Sequence, residues 1–120
     1  MLLVIGGIAS GKRTYLRQLG YPDGRVGETL ASHAPVLYGL EEILRAGPLD
    51  DAAYAALCAR EVIACCEVGL GVVPMDAGER AWRELVGRTC ARLAADADTV
   101  VRMVCGIPVT LKAPASAPTS

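Results

Sequence analysis

The chain is expected to fold as an α/β protein around a mostly parallel sheet of about four or five strands. Three observations carry that expectation. Short apolar runs of strand length recur at Leu2–Ile5, Pro35–Tyr38, Val62–Cys66 and Thr99–Cys105. Segments with helical character separate them. The first run leads directly into a glycine-rich turn and then a helix. Strands that alternate with helices bury a parallel sheet between helical layers, giving a three-layer arrangement.

Each element has its own signal. Leu2–Ile5 is continuously apolar and ends at Gly6 and Gly7, as suits a buried parallel strand feeding a tight turn. Residues 11–19 read as a helix closed by Gly20 and Pro22. Residues 20–33 are rich in glycine and polar groups and read as loop. Leu40–Ala46 reads as a short helix stopped by Gly47 and Pro48, and residues 51–60, "DAAYAALCAR", as an alanine-rich helix. The clearest helix spans 74–95. Asp76 and Glu79 have capping-box-like spacing there, with Asp76 as N-cap. Trp82, Leu85, Val86, Cys90, Leu93 and Ala94 share one face, while Arg80, Glu84 and Arg88 form a solvated one. Gly106 and Pro108 are read as breaking the last strand. Residues 1–112 are expected to form one domain, and 113–120 a frayed tail.

Composition narrows the function. The 120 residues carry 12 basic and 13 acidic side chains, a formal net charge of −1. A nucleic-acid binder would show a strong basic excess, so no nucleic-acid partner is expected. Five cysteines occur with no C-x-x-C spacing, which fits neither a disulfide framework nor a zinc site. They read as small hydrophobes in a reducing, cytoplasmic setting. The sequence shows no signal-peptide pattern and no apolar run of the roughly 20 residues that span a bilayer, so no membrane partner is expected.

Gly6 to Lys12 has the spacing G-x-x-x-x-G-K, after a strand and at the head of a helix. Glycines let backbone N–H groups turn inward around phosphate oxygens, and the helix directs its positive end at them. Lysine at this place reaches the β- and γ-phosphates. The fold expectation therefore sharpens to a phosphate-loop NTPase-like one. Gly6, Gly7, Ile8, Ala9, Ser10, Gly11, Lys12, Arg13 and Thr14 are the expected nucleotide-binding residues. Position 13 departs from the pattern. Ser or Thr there supplies a hydroxyl to magnesium, and Arg13 has no acceptor oxygen. Thr14, Ser10 or a carboxylate acting through water are the alternatives. Glu67 closes the third strand at its carboxyl end, where ligands bind in open α/β sheets. There it could order magnesium or polarise an attacking hydroxyl, or simply pair with an arginine. His33, the one histidine, is a low-ranking nucleophile beside the reading of an exposed loop residue.

Two stretches, "GGIASGK" near the start and "EVGLGVVPMDAGERAWRELVGRTCARLAADADTVVRMVCGIPVTLK" from Glu67 to Lys112, resemble the bifunctional adenosylcobinamide kinase/adenosylcobinamide-phosphate guanylyltransferase family of cobalamin biosynthesis. The resemblance covers roughly half the chain. It implies a homo-oligomeric enzyme. Such an enzyme uses ATP or GTP to phosphorylate the aminopropanol hydroxyl of adenosylcobinamide. It then passes GMP from GTP, through an enzyme histidine, to the phosphorylated corrinoid. Lys12 and Glu67 become the expected catalytic residues, Glu67 with magnesium, and Arg80 and Arg83 the expected phosphate contacts. The chain departs from the family in several places. It is shorter, mostly between the first helix and the second strand, where the family carries its histidine in a basic run. Gly39 follows Tyr38 where an Asp is usual, Arg13 stands at the magnesium hydroxyl position, and Cys66 replaces an Asn. The alternatives to an active enzyme are a non-catalytic nucleotide- or corrinoid-binding relative and a small kinase acting on another alcohol.

Overall fold

The computed structural model describes residues 1–7, 9–68 and 76–114. Six strands of the described residues form one sheet in the order β2-β3-β4-β1-β5-β6. These are β1 (Leu2–Gly6), β2 (Val26–Gly27), β3 (Val36–Tyr38), β4 (Val62–Cys66), β5 (Thr99–Val104) and β6 (Ile107–Lys112). The helices are α1 (Lys12–Gln18), α2 (Leu40–Ile43), α3 (Asp51–Cys58) and α4 (Ala77–Asp96), and α2 tightens into a 3-10 turn over Leu44–Ala46. All pairings are parallel except β5–β6. The α/β, three-layer, phosphate-loop-like expectation holds.

The strand count is higher than the expected four or five, for two reasons. Val26 and Gly27, inside the stretch read as loop, pair with Val36 and Leu37 and extend the sheet at one edge. At the other edge Gly106 and Pro108 do not end the chain's β structure. Cys105 and Gly106 take positive φ (51° and 78°) and turn the backbone into a hairpin. Pro108 then lies opposite Met103 on the edge strand β6, a position proline tolerates because an outward N–H is not needed there.

Alternation along the strands divides the core between two faces. Leu3, Leu37, Ile63, Cys65 and Val100 pack on one face against Leu40, Leu44, Tyr54, Leu57, Val86 and Leu93. Val4, Val36, Val62, Ala64, Val101 and Met103 pack on the other against Leu16 of α1. Thus α2, α3 and α4 cover one face and α1 the opposite one. The expected apolar stripe of α4 is the one buried: Val86 and Leu93 are inside, and Trp82, Leu85, Cys90 and Ala94 pack against them. Asp76 caps α4 by accepting from Gly78 N at 2.8 Å. Glu79 does not complete a capping box. Its carboxylate is taken by Arg45 (2.7 and 3.3 Å), whose guanidinium stacks 3.3 Å from the Trp82 ring centroid. Residues 115–120 of the expected tail lie outside the described residues.

β1 is central, with β4 on one side and β5 on the other. The chain leaves β1 over the α1 face toward β3, while α4 carries it from β4 to β5 over the opposite face. The carboxyl end of β1 is therefore a topological switch point, where open α/β sheets leave a crevice for ligands.

Candidate functional site

That crevice is built from the turn after β1. Gly7 O accepts from Ser10 N at 3.2 Å, and Ala9 (φ 56°) and Gly11 (φ 94°) both take the left-handed conformation. Two glycines are required by space. A Cβ on Gly6 would stand 2.4 Å from Ser10 Oγ and 3.0 Å from Met103 O. One on Gly11 would stand 3.1 Å from Gly106 Cα, because the β5–β6 hairpin turn leans on the loop through Gly106 N donating to Ser10 O at 3.0 Å. Ile8 lies outside the described residues.

Lys12 is 5% exposed, and its side chain folds back through the turn. The ammonium donates to Gly7 O at 2.9 Å, Gly6 O at 3.2 Å and Ser10 Oγ at 3.5 Å. An ammonium has three N–H donors, so this buried charge is satisfied, but by neutral acceptors only. Among the described residues no carboxylate pairs with it. It also lies close enough to Cys66 to oppose the burial that pushes that thiol's pKa up.

A cleft of about 290 Å³ opens over the loop, lined by residues 9–14 and Tyr38. Arg13 crosses it. The guanidinium lies 4.1 Å from the Tyr38 ring centroid and pairs with Glu28 at 2.6 Å and Asp23 at 3.8 Å. Tyr38 is the last residue of β3. Burial raises its hydroxyl above the ordinary 10.0, with Arg13 pulling the other way. Beyond Tyr38 a second hollow is lined by Glu28, Thr29, Gly39, Glu41 and Glu42.

Glu67 follows β4 and donates its N–H to Gly6 O at 2.8 Å, which holds it beside the loop. Its carboxylate is gripped bidentately by Arg102 of β5 (2.8 and 3.0 Å). The Glu67 side chain is 17% exposed and that of Arg102 43%, so the pair is partly shielded, and its two-point geometry is the stronger form of such a contact. Val68 is described, whereas Gly69 and the rest of "GLGVVP" through 75 lie outside the described residues.

The residues present fit magnesium poorly. Magnesium is usually held through one or two carboxylates together with substrate phosphates. The cleft lining contains none. The nearby carboxylates outside that lining already have partners: Glu67 with Arg102, Glu41 with Cys66 N at 2.8 Å, and Glu28, in an exposed and exchangeable pair, with Arg13. Among the described residues no group of three or more His, Cys, Asp or Glu side chains is placed to hold a metal ion. Of the hydroxyls in the lining, Thr14 is exposed, Ser10 is buried and accepts from Lys12, and Tyr38 stacks under Arg13.

The expected residues do not all converge. His33 is exposed in the segment before β3, at the amino ends of the parallel strands, whereas the loop lies at their carboxyl ends. Arg80 is exposed and Arg83 half-buried on the first turns of α4. Tyr38, Glu28, Glu41 and Arg102 join the site although no motif marked them. Tyr38 and Glu41 fall at the place where the resemblance leads one to look for an Asp, and that was the available signal. Arg102 has none, since one charged residue in an apolar strand reads as an outward-facing position.

Fold and cleft together define an α/β protein of phosphate-loop type with a cationic crevice at its switch point. A match to the cobinamide kinase / cobinamide phosphate guanyltransferase family covers residues 49–111, more than half of the chain, and the chain belongs to that family. The bifunctional adenosylcobalamin biosynthesis protein CobU of Salmonella typhimurium is 44% identical over 54 residues, covering 45% of this chain and 30% of that protein. The matched stretch thus spans under a third of that relative. The family match begins after the loop at 6–12, so the reading of that loop stands on its own residues. Among the described residues, no helix is long and apolar enough to cross a membrane.

Proposed function

We propose that the chain is a nucleotide-dependent transferase of cobalamin biosynthesis whose kinase half-reaction uses the crevice at residues 6–14. ATP or GTP would place its terminal phosphates over the loop, and the hydroxyl of adenosylcobinamide would be the acceptor. The observation that carries this reading is Lys12: a charge 5% exposed, inside a tight turn, held only by neutral acceptors. Phosphate oxygens in the cleft would give that ammonium the anionic partner it lacks. Phosphoryl transfer asks little covalent chemistry of a protein. It needs alignment and charge neutralisation, which loop N–H groups, Lys12 and Arg13 can supply. Glu67, tied to Arg102, is better suited to fixing the loop's flank through Gly6 O than to binding metal. Arg80 and Arg83 at the start of α4 remain the proposed outer phosphate contacts.

The guanylyl half-reaction has less support. The one histidine of these 120 residues, His33, stands at the opposite ends of the strands from the loop. A homo-oligomer that brought His33 of one copy to the loop of another would be the way to restore it.

The test is direct. Incubation with ATP or GTP and adenosylcobinamide, followed by chromatography of the corrinoid, is expected to give the phosphorylated product. Lys12→Met should lower the rate at least about 100-fold, the loss of two or more charge-assisted hydrogen bonds of ~1.5–3 kcal/mol each. Nucleotide binding without product from either nucleotide would turn the reading to a non-catalytic binding protein. Protein labelled from α-phosphate-labelled GTP, with the label lost in His33→Ala, would contradict the placement of His33 outside the chemistry.

A further inference from the structure

Position 13 is where the loop's pattern calls for a magnesium-binding hydroxyl, and the cleft provides no carboxylate to compensate. What it provides instead is a second fixed cation. The Arg13 guanidinium is held from below by the Tyr38 ring at 4.1 Å and from the side by Glu28 at 2.6 Å. It lines the same cleft as residues 9–12. Stacking on an aromatic face and a planar fork of donors are the two features that suit arginine to bidentate phosphate recognition. Its present counter-ions are replaceable. The Glu28 and Asp23 side chains are 65% and 67% exposed, so water and salt already screen both pairs, and a multiply charged phosphate can exchange with them.

We propose that Arg13 takes over the charge-neutralising role of a loop-bound magnesium ion, so that this cleft binds a nucleotide's di- or triphosphate without a divalent cation. Arg13 adds one fixed positive charge beside Lys12, where the usual loop pairs its lysine with a divalent ion, and its planar fork supplies donors that the ion lacks. Arg13 is thereby a specificity-determining residue: it lets the cleft take the free polyphosphate, which carries more negative charge than its magnesium complex. The inference rests on the phosphate-site reading of residues 6–12.

The experiment is calorimetric titration of the full chain with GTP and, separately, with inorganic pyrophosphate, once with magnesium and once with EDTA. Wild-type protein is expected to bind as tightly in EDTA as in magnesium, or more tightly. Arg13→Ser, which removes the cation and restores the hydroxyl, should bind at least about tenfold more weakly in EDTA and recover when magnesium is added. Arg13→Lys keeps the charge and should retain most of the EDTA binding, and circular dichroism of each variant checks that it folds. Wild-type binding that falls tenfold or more on chelation would overturn the role of Arg13 while leaving the phosphate site standing. Binding in EDTA that is the same in Arg13→Ser as in wild type would do so too. Absence of binding by wild-type protein both with magnesium and with EDTA would overturn the phosphate-site reading and this inference with it.

Discussion

Lys12 and Arg13 are adjacent in sequence and opposite in their partners. Lys12 turns inward to three neutral oxygens, while Arg13 turns outward to two exposed carboxylates and a ring. An incoming polyphosphate therefore has only neutral acceptors to displace at Lys12, and at Arg13 must displace Glu28. Glu28→Gln is expected to tighten pyrophosphate binding two- to fivefold, in line with the ~0.2–1 kcal/mol of an exposed ion pair. Calorimetry showing unchanged or weaker binding would contradict that competition. Gly6 makes a second demand at this scale, because a methyl group there collides with Ser10 Oγ and the Met103 carbonyl. Gly6→Ala should lower unfolding stability by ~1–3 kcal/mol, as overpacking does, and loosen phosphate binding along with it. Urea denaturation measures the first effect.

The elements that hold the site are pinned by a few polar contacts. Asp50 caps α3, accepting from Ala53 N at 2.7 Å, and Asp50→Ala should lower stability by ~1 kcal/mol in urea. Tyr54 of α3 reaches α4, donating to Asp96 at 2.5 Å, with Arg92 stacked 3.6 Å over its ring. Burial first, and the Asp96 bond second, push its hydroxyl well above the ordinary 10.0. A raised pKa means this contribution is full below pH 10 and is lost as pH climbs toward the folded value. Stability should thus decline above pH 10 in wild type and more shallowly in Tyr54→Phe, as followed by thermal melts across that range. The strands and α4 were legible because apolar runs and a 3.6-residue stripe are set by burial itself. β2 and β6 were not. Two residues are too short to show alternation, and the signals at Gly106 and Pro108 that end a central strand also open a hairpin at a sheet edge. Glu79 shows a further limit. Its spacing from Asp76 suggested a capping box, and a residue 34 positions away in the chain, Arg45, took the carboxylate instead.

Over the whole molecule, the central position of β1 makes one place where two crossover directions part, and the loop at 6–12 sits there. Sequence alone located that loop and Glu67, since both lie just after strand ends. It did not reveal that Arg102, from a strand on the other side of β1, would grip Glu67, or that Tyr38 would carry Arg13. Such partners are set by strand order rather than by spacing. The frame itself depends on both core faces. Leu93→Ala should cost about 2–5 kcal/mol by opening a cavity under α4. Because Leu93 lies near the C-terminal end of α4, far along the helix from Arg80 and Arg83, nucleotide affinity should stay near wild type wherever the variant remains folded. The measurement that bears most directly on the account is titration of ATP and GTP into wild-type protein and Lys12→Ala. The account predicts saturable binding in wild type, weakened at least about 100-fold by the substitution. Equal binding by both proteins would contradict it.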